Sequence, residues 1–284
     1  MSSVNPELQS LIARHMPGYL SQRLSLTRLN GLTGTSWRID DDHQPCWLAK
    51  ALLPSQHILG INRRQEYRTL RRISSSGLSP VPVLLTDQWL ITSWVDGAVI
   101  GEGFSRHPDL AGSLVRLHQR PLIGFPLDLT ARFIRYMQGI DRKRLSPRWL
   151  SLHQSFLRAG LPRALKLAPA HLDLHGDNAI QTPGGLKFID WEYAADTDIA
   201  FELAALFYSN GCGNGWNKAL ESDLIQRYIN AGGYHNAQKL TRQVDRWKPY
   251  VDYLMLMWFE TRWQQTKNPQ YIIDSQPIRV RYGI

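Results

Sequence analysis

The chain has 284 residues, 43% of them hydrophobic, which is enough for one large domain or two lobes with a sizeable core and excludes a disordered chain. The N-terminal MSSVNPELQS has no apolar core of signal-peptide type, and the longest apolar-rich run, 250–259, contains Asp252 and is too short to cross a bilayer. The net charge of +9 would suit nucleic acid, a membrane surface or an anionic ligand, but the basic residues are scattered and nowhere interleave with aromatics as a binding stripe would.

Two cysteines, Cys46 and Cys212, form no disulfide framework or metal pattern, so a reducing cytoplasm is the expected compartment, with no membrane and no nucleic-acid partner. In chain order, PELQSLIARHM (6–16) places Leu8, Leu11 and Ile12 on one helix face. Short apolar segments at 27–40 and 46–53, bounded by glycines and turn residues, predict strands of a hairpin. A helix is expected next at 62–73, with Tyr67, Leu70 and Ile73 inward and the charges on the opposite face. Residues 74–82 predict a loop, and 83–97 predict two strands around Asp87-Gln88.

Beyond Gly97 the pattern becomes helical. Leu110, Leu114 and Leu117 share one face of a helix over 109–119, and FIRYMQGI and RWLSLHQSFLRAG predict two more. Segments 199–209 and 219–233 are amphipathic, the second closing on Gly232-Gly233. The last helical region, about 236–266, is expected to break or kink near Pro249. The fold class is therefore α+β, with a strand-rich lobe over 1–94, a helical lobe over 95–284 and a joint near 94–97. A cleft between two such lobes is a natural ligand site.

The chemistry concentrates in HLDLHGDN (171–178) and in the segment from 179 to 190. Pro183-Gly184-Gly185 predicts a turn between AIQ and LKFID, a small hairpin with Asp173 and Asn178 before it and Asp190 at its end. Two carboxylates and an amide are thereby gathered. Carboxylate and carbonyl oxygens are the ligands that Mg²⁺ prefers, and a free carboxylate can take a proton from an attacking hydroxyl.

These residues resemble the protein-kinase-like fold, and more closely its small-molecule branch, the aminoglycoside and choline phosphotransferases. That family carries H-x-D-x-x-x-x-N, then an aspartate after a short hairpin. The resemblance runs from about residue 25 to 265. It implies ATP and Mg²⁺ as cofactors, Asp173 as catalytic base, Asn178 and Asp190 as metal ligands, and His171 as a support of the loop. It also implies Lys50, at the end of LAK, on the nucleotide phosphates and paired with Glu66. Gly31, Gly34, Thr35 and Ser36 in GLTGTS fall where a phosphate-covering loop belongs, though they depart from G-x-G-x-x-G and could serve only as a turn. Asp198 would cap the next helix, brace the catalytic loop, or both.

With IDWE in place of D-F-G, and only a short step from Asp190 to Asp198, there is no room for a long activation loop. That favours a small-molecule alcohol over a protein as the acceptor. LKFIDWEYAADTDIAFELAA and MWFETRWQQT are similar to segments of the thiamine-phosphorylating branch of the family, which makes thiamine the favoured acceptor. Choline, ethanolamine or an aminoglycoside is the alternative, and an inactive nucleotide-binding module is the reading of a different class. Trp191, Glu192, Trp258, Glu260 and Trp263 are the candidate acceptor contacts, because indole rings and carboxylates suit a cationic ring, although most of the ten tryptophans must be core. His118 reads as a structural histidine.

Overall fold

The computed structural model describes residues 5–15, 24–30, 35–210 and 217–284. Gly31, Gly34 and Cys212 lie outside the described residues. Helix α1 (Pro6–His15) precedes a five-stranded antiparallel sheet of order β1 (Leu24–Asn30), β2 (Thr35–Asp41), β3 (Gln44–Ala51), β5 (Trp89–Ser93), β4 (Pro82–Leu85). Alternation along β3 divides its residues between the two faces. Trp47, Ala49 and Ala51 join Leu8 and Ile12 of α1 in one apolar cluster, while Leu48 and Lys50 point the other way and line cavities.

Helix α2 (Arg63–Ile73) begins at an Asn62 cap that accepts from Arg64 and Gln65 N–H groups at 3.0 and 3.1 Å. Its buried face is not the one that apolar periodicity predicts. Leu70 and Ile73 are inside, but so are Arg63 and Glu66, at 4% and 2% exposure. Tyr67 is only half-buried. The helix is turned by ion pairs that a hydrophobic count cannot see.

After β5 the chain reaches β6 (Ala98–Val99), which pairs with the hairpin β8 (Ala179–Thr182) and β9 (Gly185–Phe188). Gly97, at φ +151°, leaves no room for a side chain: a Cβ would stand 2.2 Å from the Gln181 carbonyl oxygen. Helices α3 (Leu110–His118), α4 (Leu129–Gly139) and α5 (Pro147–Ala159) come next. Leu110, Leu114 and Leu117 are fully buried, as their spacing predicts. A two-stranded pair, β7 (Leu167–Ala170) and β10 (Ala195–Asp198), brackets the hairpin.

Helices α6 (Ile199–Ser209), α7 (Lys218–Asn230), α8 (Ala237–Thr266) and α9 (Gln270–Tyr282) complete the larger core. The expected break at Pro249 is absent. α8 continues through it as one 30-residue helix, packed against α4, α6, α7 and α9. Proline removes one backbone donor, and contacts along the rest of the helix offset that loss. Helix α9 has no counterpart in the sequence expectations. Among the described residues, no helix is long and apolar enough to cross a membrane.

The core includes neutral histidines. His118 is 2% exposed with Nδ1 2.8 Å from the Tyr228 hydroxyl, and burial holds its pKa down to about 3. Unfolded, the same imidazole takes a proton near pH 6.5. The unfolded chain therefore binds more protons below that pH, and stability falls as the pH drops from 6.5 towards 3. Buried His171, held down to about 4, adds to the effect. His118→Asn, which can still bond the Tyr228 hydroxyl, is expected to show a smaller drop in Tm between pH 7 and pH 5 than the parent protein. Equal drops in a thermal-melt pH series would contradict the assignment.

Candidate active site

Strand β7 delivers the chain into 171–178. His171, fully buried, places Nε2 2.8 Å from the Ile189 carbonyl and so ties the loop to the segment carrying Asp190. Leu172 takes a left-handed conformation, φ 68°, and its N–H donates to Glu202 Oε2 at 2.9 Å. Asn178 closes a short 3₁₀ turn and donates Nδ2 to both the Asp173 carbonyl (2.9 Å) and its carboxylate (3.1 Å). Both amide hydrogens are thereby used on Asp173, which leaves Asn178 Oδ1 for a cation. The turn needs Gly176, because a Cβ there would meet the Gly101 carbonyl oxygen at 1.8 Å.

The Pro183-Gly184 turn forms as expected. The hairpin returns the chain so that Ile189 N–H donates to the Asn178 carbonyl at 2.9 Å. Asp190 is next, at φ 64°, its carboxylate one third open. Lys50 Nζ lies 2.8 Å from Glu66 Oε1 and 2.5 Å from Asp190 Oδ1. Arg63 Nη1 lies 2.5 Å from Glu66 Oε2 and 2.8 Å from Glu192 Oε2. Burial alone would pull the Lys50 ammonium down, but Asp190 and Glu66 outweigh it and hold the group above its ordinary range. Burial likewise drives the Asp173 carboxyl up to about 7, with the Asp190 charge adding to the rise and the Asn178 bond opposing it.

Ser36, Lys50, Asp173, Asn178 and Asp190 all face one cavity of about 450 Å³. Ser36 sits opposite Lys50 in the β2–β3 register, whereas Thr35, at the start of β2, does not line it. Tyr136, Tyr193, Leu254, Met255 and Trp258 supply apolar and aromatic wall to the same space. A smaller cavity of about 170 Å³ shares Lys50 and Asp190 and is walled by Leu48, Pro80, Val95, Ile180 and Ile189 beside the 94–97 joint. Among the described residues, no cluster of three or more His, Cys, Asp or Glu could hold a metal by itself. The oxygen pair of Asp190 and Asn178 nevertheless suits Mg²⁺, which is typically held by one or two carboxylates together with substrate phosphates.

Several sequence expectations are corrected by this geometry. Glu260 is fully buried and away from the cavity, held by Arg144 (2.5 and 2.8 Å), Arg279 (3.1 Å) and Ser275 (3.1 Å). Trp263 has the Arg144 and Lys267 cations 5.1 and 4.3 Å from its ring and is no part of the cavity wall. Trp191 is a core residue, 1% exposed, whose indole N–H donates to the Phe188 carbonyl at 2.7 Å and whose ring packs on His171. It reaches only the smaller cavity. Glu192 lines the main cavity but is committed to Arg63. Trp258 also lines the main cavity, its N–H donating to the Tyr193 hydroxyl at 3.0 Å.

Asp198 does cap α6, accepting from Ala200 at 3.3 Å, but its other oxygen binds Gln243 and Trp247 of α8, both at 2.9 Å. The carboxylate bonded to the 171–178 loop is Glu202, one turn further on. A lone acid inside the apolar run IAFELAAL was the available signal for it. Arg63, Tyr136 and Tyr193 were missed as cavity residues, because nothing in their sequence context separates them from surface or core positions.

A kinase-like pair of lobes with one such cavity defines a phosphoryl-transfer fold, and comparison with known proteins agrees. The model of the family described as "Phosphotransferase enzyme family" matches residues 28–242. The chain belongs to that family, and its activity is that of an ATP-dependent phosphotransferase. Thiamine kinases of Salmonella heidelberg (strain SL476) and Salmonella typhi are 34% and 33% identical to it over 265 residues, spanning 92% of this chain and 90% of theirs. Among solved structures, a Plasmodium vivax ethanolamine kinase superposes with TM-score 0.75 at 16% identity, covering 98% of this chain and 87% of its own. Choline kinase LicA from Streptococcus pneumoniae gives 0.75 at 18%, covering 97% of both chains. At these identities the two structures show the shared fold alone.

Because its oxygens are spent on two arginines and a serine, Glu260 is expected to matter for folding and not for the acceptor. Glu260→Ala should cost about 2–3 kcal/mol in denaturant unfolding, below the value for a fully enclosed pair because Arg144 and Arg279 keep some contact with water. The acceptor KM of the folded fraction should stay within about twofold. A raised acceptor KM with unchanged stability would return Glu260 to the site.

Proposed function

We propose that this protein transfers the γ-phosphoryl group of ATP to the hydroxyl of thiamine, giving thiamine phosphate and ADP in the cytoplasm. The observation that carries the phosphoryl-transfer chemistry is the convergence of Lys50, Asp173, Asn178 and Asp190 on one cavity. The choice of thiamine rests on the Salmonella thiamine kinases, whose likeness extends over nine-tenths of both chains.

Residues 1–94 would cover the nucleotide. The smaller apolar cavity beside 94–97 suits the adenine ring, which puts the phosphates at Lys50 and Ser36 in the larger one. A neighbouring solved structure is LicA in complex with AMP, which is consistent with nucleotide binding by this fold. Mg²⁺ held by Asp190 and Asn178 would neutralise charge on the phosphates. Asp173 then takes the proton of the attacking hydroxyl as its oxygen bonds to the γ-phosphorus and the bond to the ADP oxygen breaks. Asn178 keeps that carboxylate aimed through its bond to Oδ2. Phosphoryl transfer is mostly positioning and charge neutralisation, so few residues suffice. The aromatic wall of Tyr136, Tyr193 and Trp258 suits a flat cationic heterocycle by ring contact and cation–π attraction.

Transfer from labelled ATP to thiamine, choline, ethanolamine and an aminoglycoside tests the reading. Thiamine is expected to give the highest kcat/KM, and a higher value for any of the others would replace it as the acceptor. Asp173→Asn should lose about 10²–10⁴-fold in kcat while still binding ATP. Near-full turnover by that variant would remove Asp173 from the base role.

A further inference from the structure

The charged groups around α2 form a closed circuit. Lys50 of β3 grips Asp190 and Glu66, and Arg63 of α2 grips Glu66 and Glu192. Asp190 and Glu192 belong to one short segment, so the circuit begins and ends on the same loop. Two cations from the strand-rich part hold two carboxylates of the metal-side loop, and Glu66 is the anion that they share. Arg63, Glu66 and Glu192 are each at most 5% exposed.

We propose that Arg63 is a positioning residue for phosphoryl transfer: it fastens α2 to the loop after Asp190, so that the Lys50–Glu66 pair and Asp190 stand in their phosphate-binding arrangement before nucleotide arrives. The physical reason lies in what Arg63 separates. Without its guanidinium, the buried Glu66 and Glu192 would lose the cation that they share, and α2 would swing away or Glu66 would turn from Lys50. Both carboxylates meet the same Nη1 atom, Glu66 through a hydrogen bond and Glu192 through charge at 2.8 Å, and a rigid planar cation holds that placement better than an ammonium on a flexible stem. The next residue's ion pair is an open one, Arg64 with Asp87, both well exposed. A further side-chain bond from α2 to the 190–194 segment is neutral, Gln65 Nε2 to the Ala194 carbonyl at 3.2 Å.

This inference rests on the phosphotransferase reading through Lys50 and Asp190, but its first measurement needs no acceptor. In nucleotide-free protein, Arg63→Met is expected to speed amide exchange of α2 and residues 190–194 by about tenfold or more, with α6 and α8 unchanged. kcat should fall about 100-fold and the KM for ATP should rise. Saturating ATP with Mg²⁺ should slow α2 exchange again. The double variant Arg63→Met/Glu192→Gln removes the stranded charge. It should recover Tm without recovering kcat or slow exchange, and it carries the test alone if the single variant does not fold. Unchanged α2 exchange, or full recovery of rate in the double variant, would overturn the proposal. A failure of thiamine as acceptor would leave the exchange result standing.

Discussion

Glu66 is a carboxylate at 2% exposure that is bonded to two cations, and the geometry of the cavity depends on that sharing. Burying an ion is costly unless partners surround it, so the group tolerates few arrangements of Lys50 and Arg63. Because Lys50 also reaches Asp190, the position of a helix in the strand-rich part and that of a cavity carboxylate in the helical part become one variable. Hydrophobic packing puts each element roughly in place. The ion pairs then select the rotation of α2, which is why its buried face carries Arg63 and Glu66 in place of the expected Tyr67.

A second set of constraints keeps the 171–178 loop in shape from behind. His171 ties it to Ile189, Glu202 receives the Leu172 N–H, and Asn178 spans Asp173. Leu172 and Asp190 both sit in left-handed backbone that side chains disfavour, and both lie at these anchor points. Asp198 works one layer further out. By binding Gln243 and Trp247 it fixes α8, the helix that also bears Trp258 and Met255 of the cavity wall.

What could be read in the sequence was local or ordered along the chain. HLDLHGDN, the Pro-Gly-Gly turn and Asp190 are close neighbours in the chain, so their convergence needs only a hairpin. Lys50 and Glu66 could be assigned only through likeness to a family, since neither has a local signature. Glu260 and Trp263 were misplaced because a carboxylate and an indole on a helix look the same whether they meet a substrate or an arginine from another helix. The partners that decided the matter, Arg144 and Arg279, are more than a hundred residues before Glu260 and nineteen after it. Helix α9 escaped notice because its sequence, with Pro277 inside it, has weak periodicity, and its place comes from packing against α8. The expected interruption at Pro249 failed for the same reason.

The contact between Gly176 and Gly101 has a consequence for how this sequence can vary. Gly101 N–H donates to the Gly176 carbonyl at 3.2 Å, and the two backbones approach until no side chain fits between them. The 171–178 loop is thus fastened at His171, at Gly176 and at Asn178. Between these points only an exposed side chain such as Asp177 is open to exchange, since Asp173 faces the cavity and Leu174 is buried in the core. The number of residues is not: an insertion or deletion between 171 and 178 would break one fixing to satisfy another. In this stretch, chain length is constrained as tightly as the residues that make the fixings.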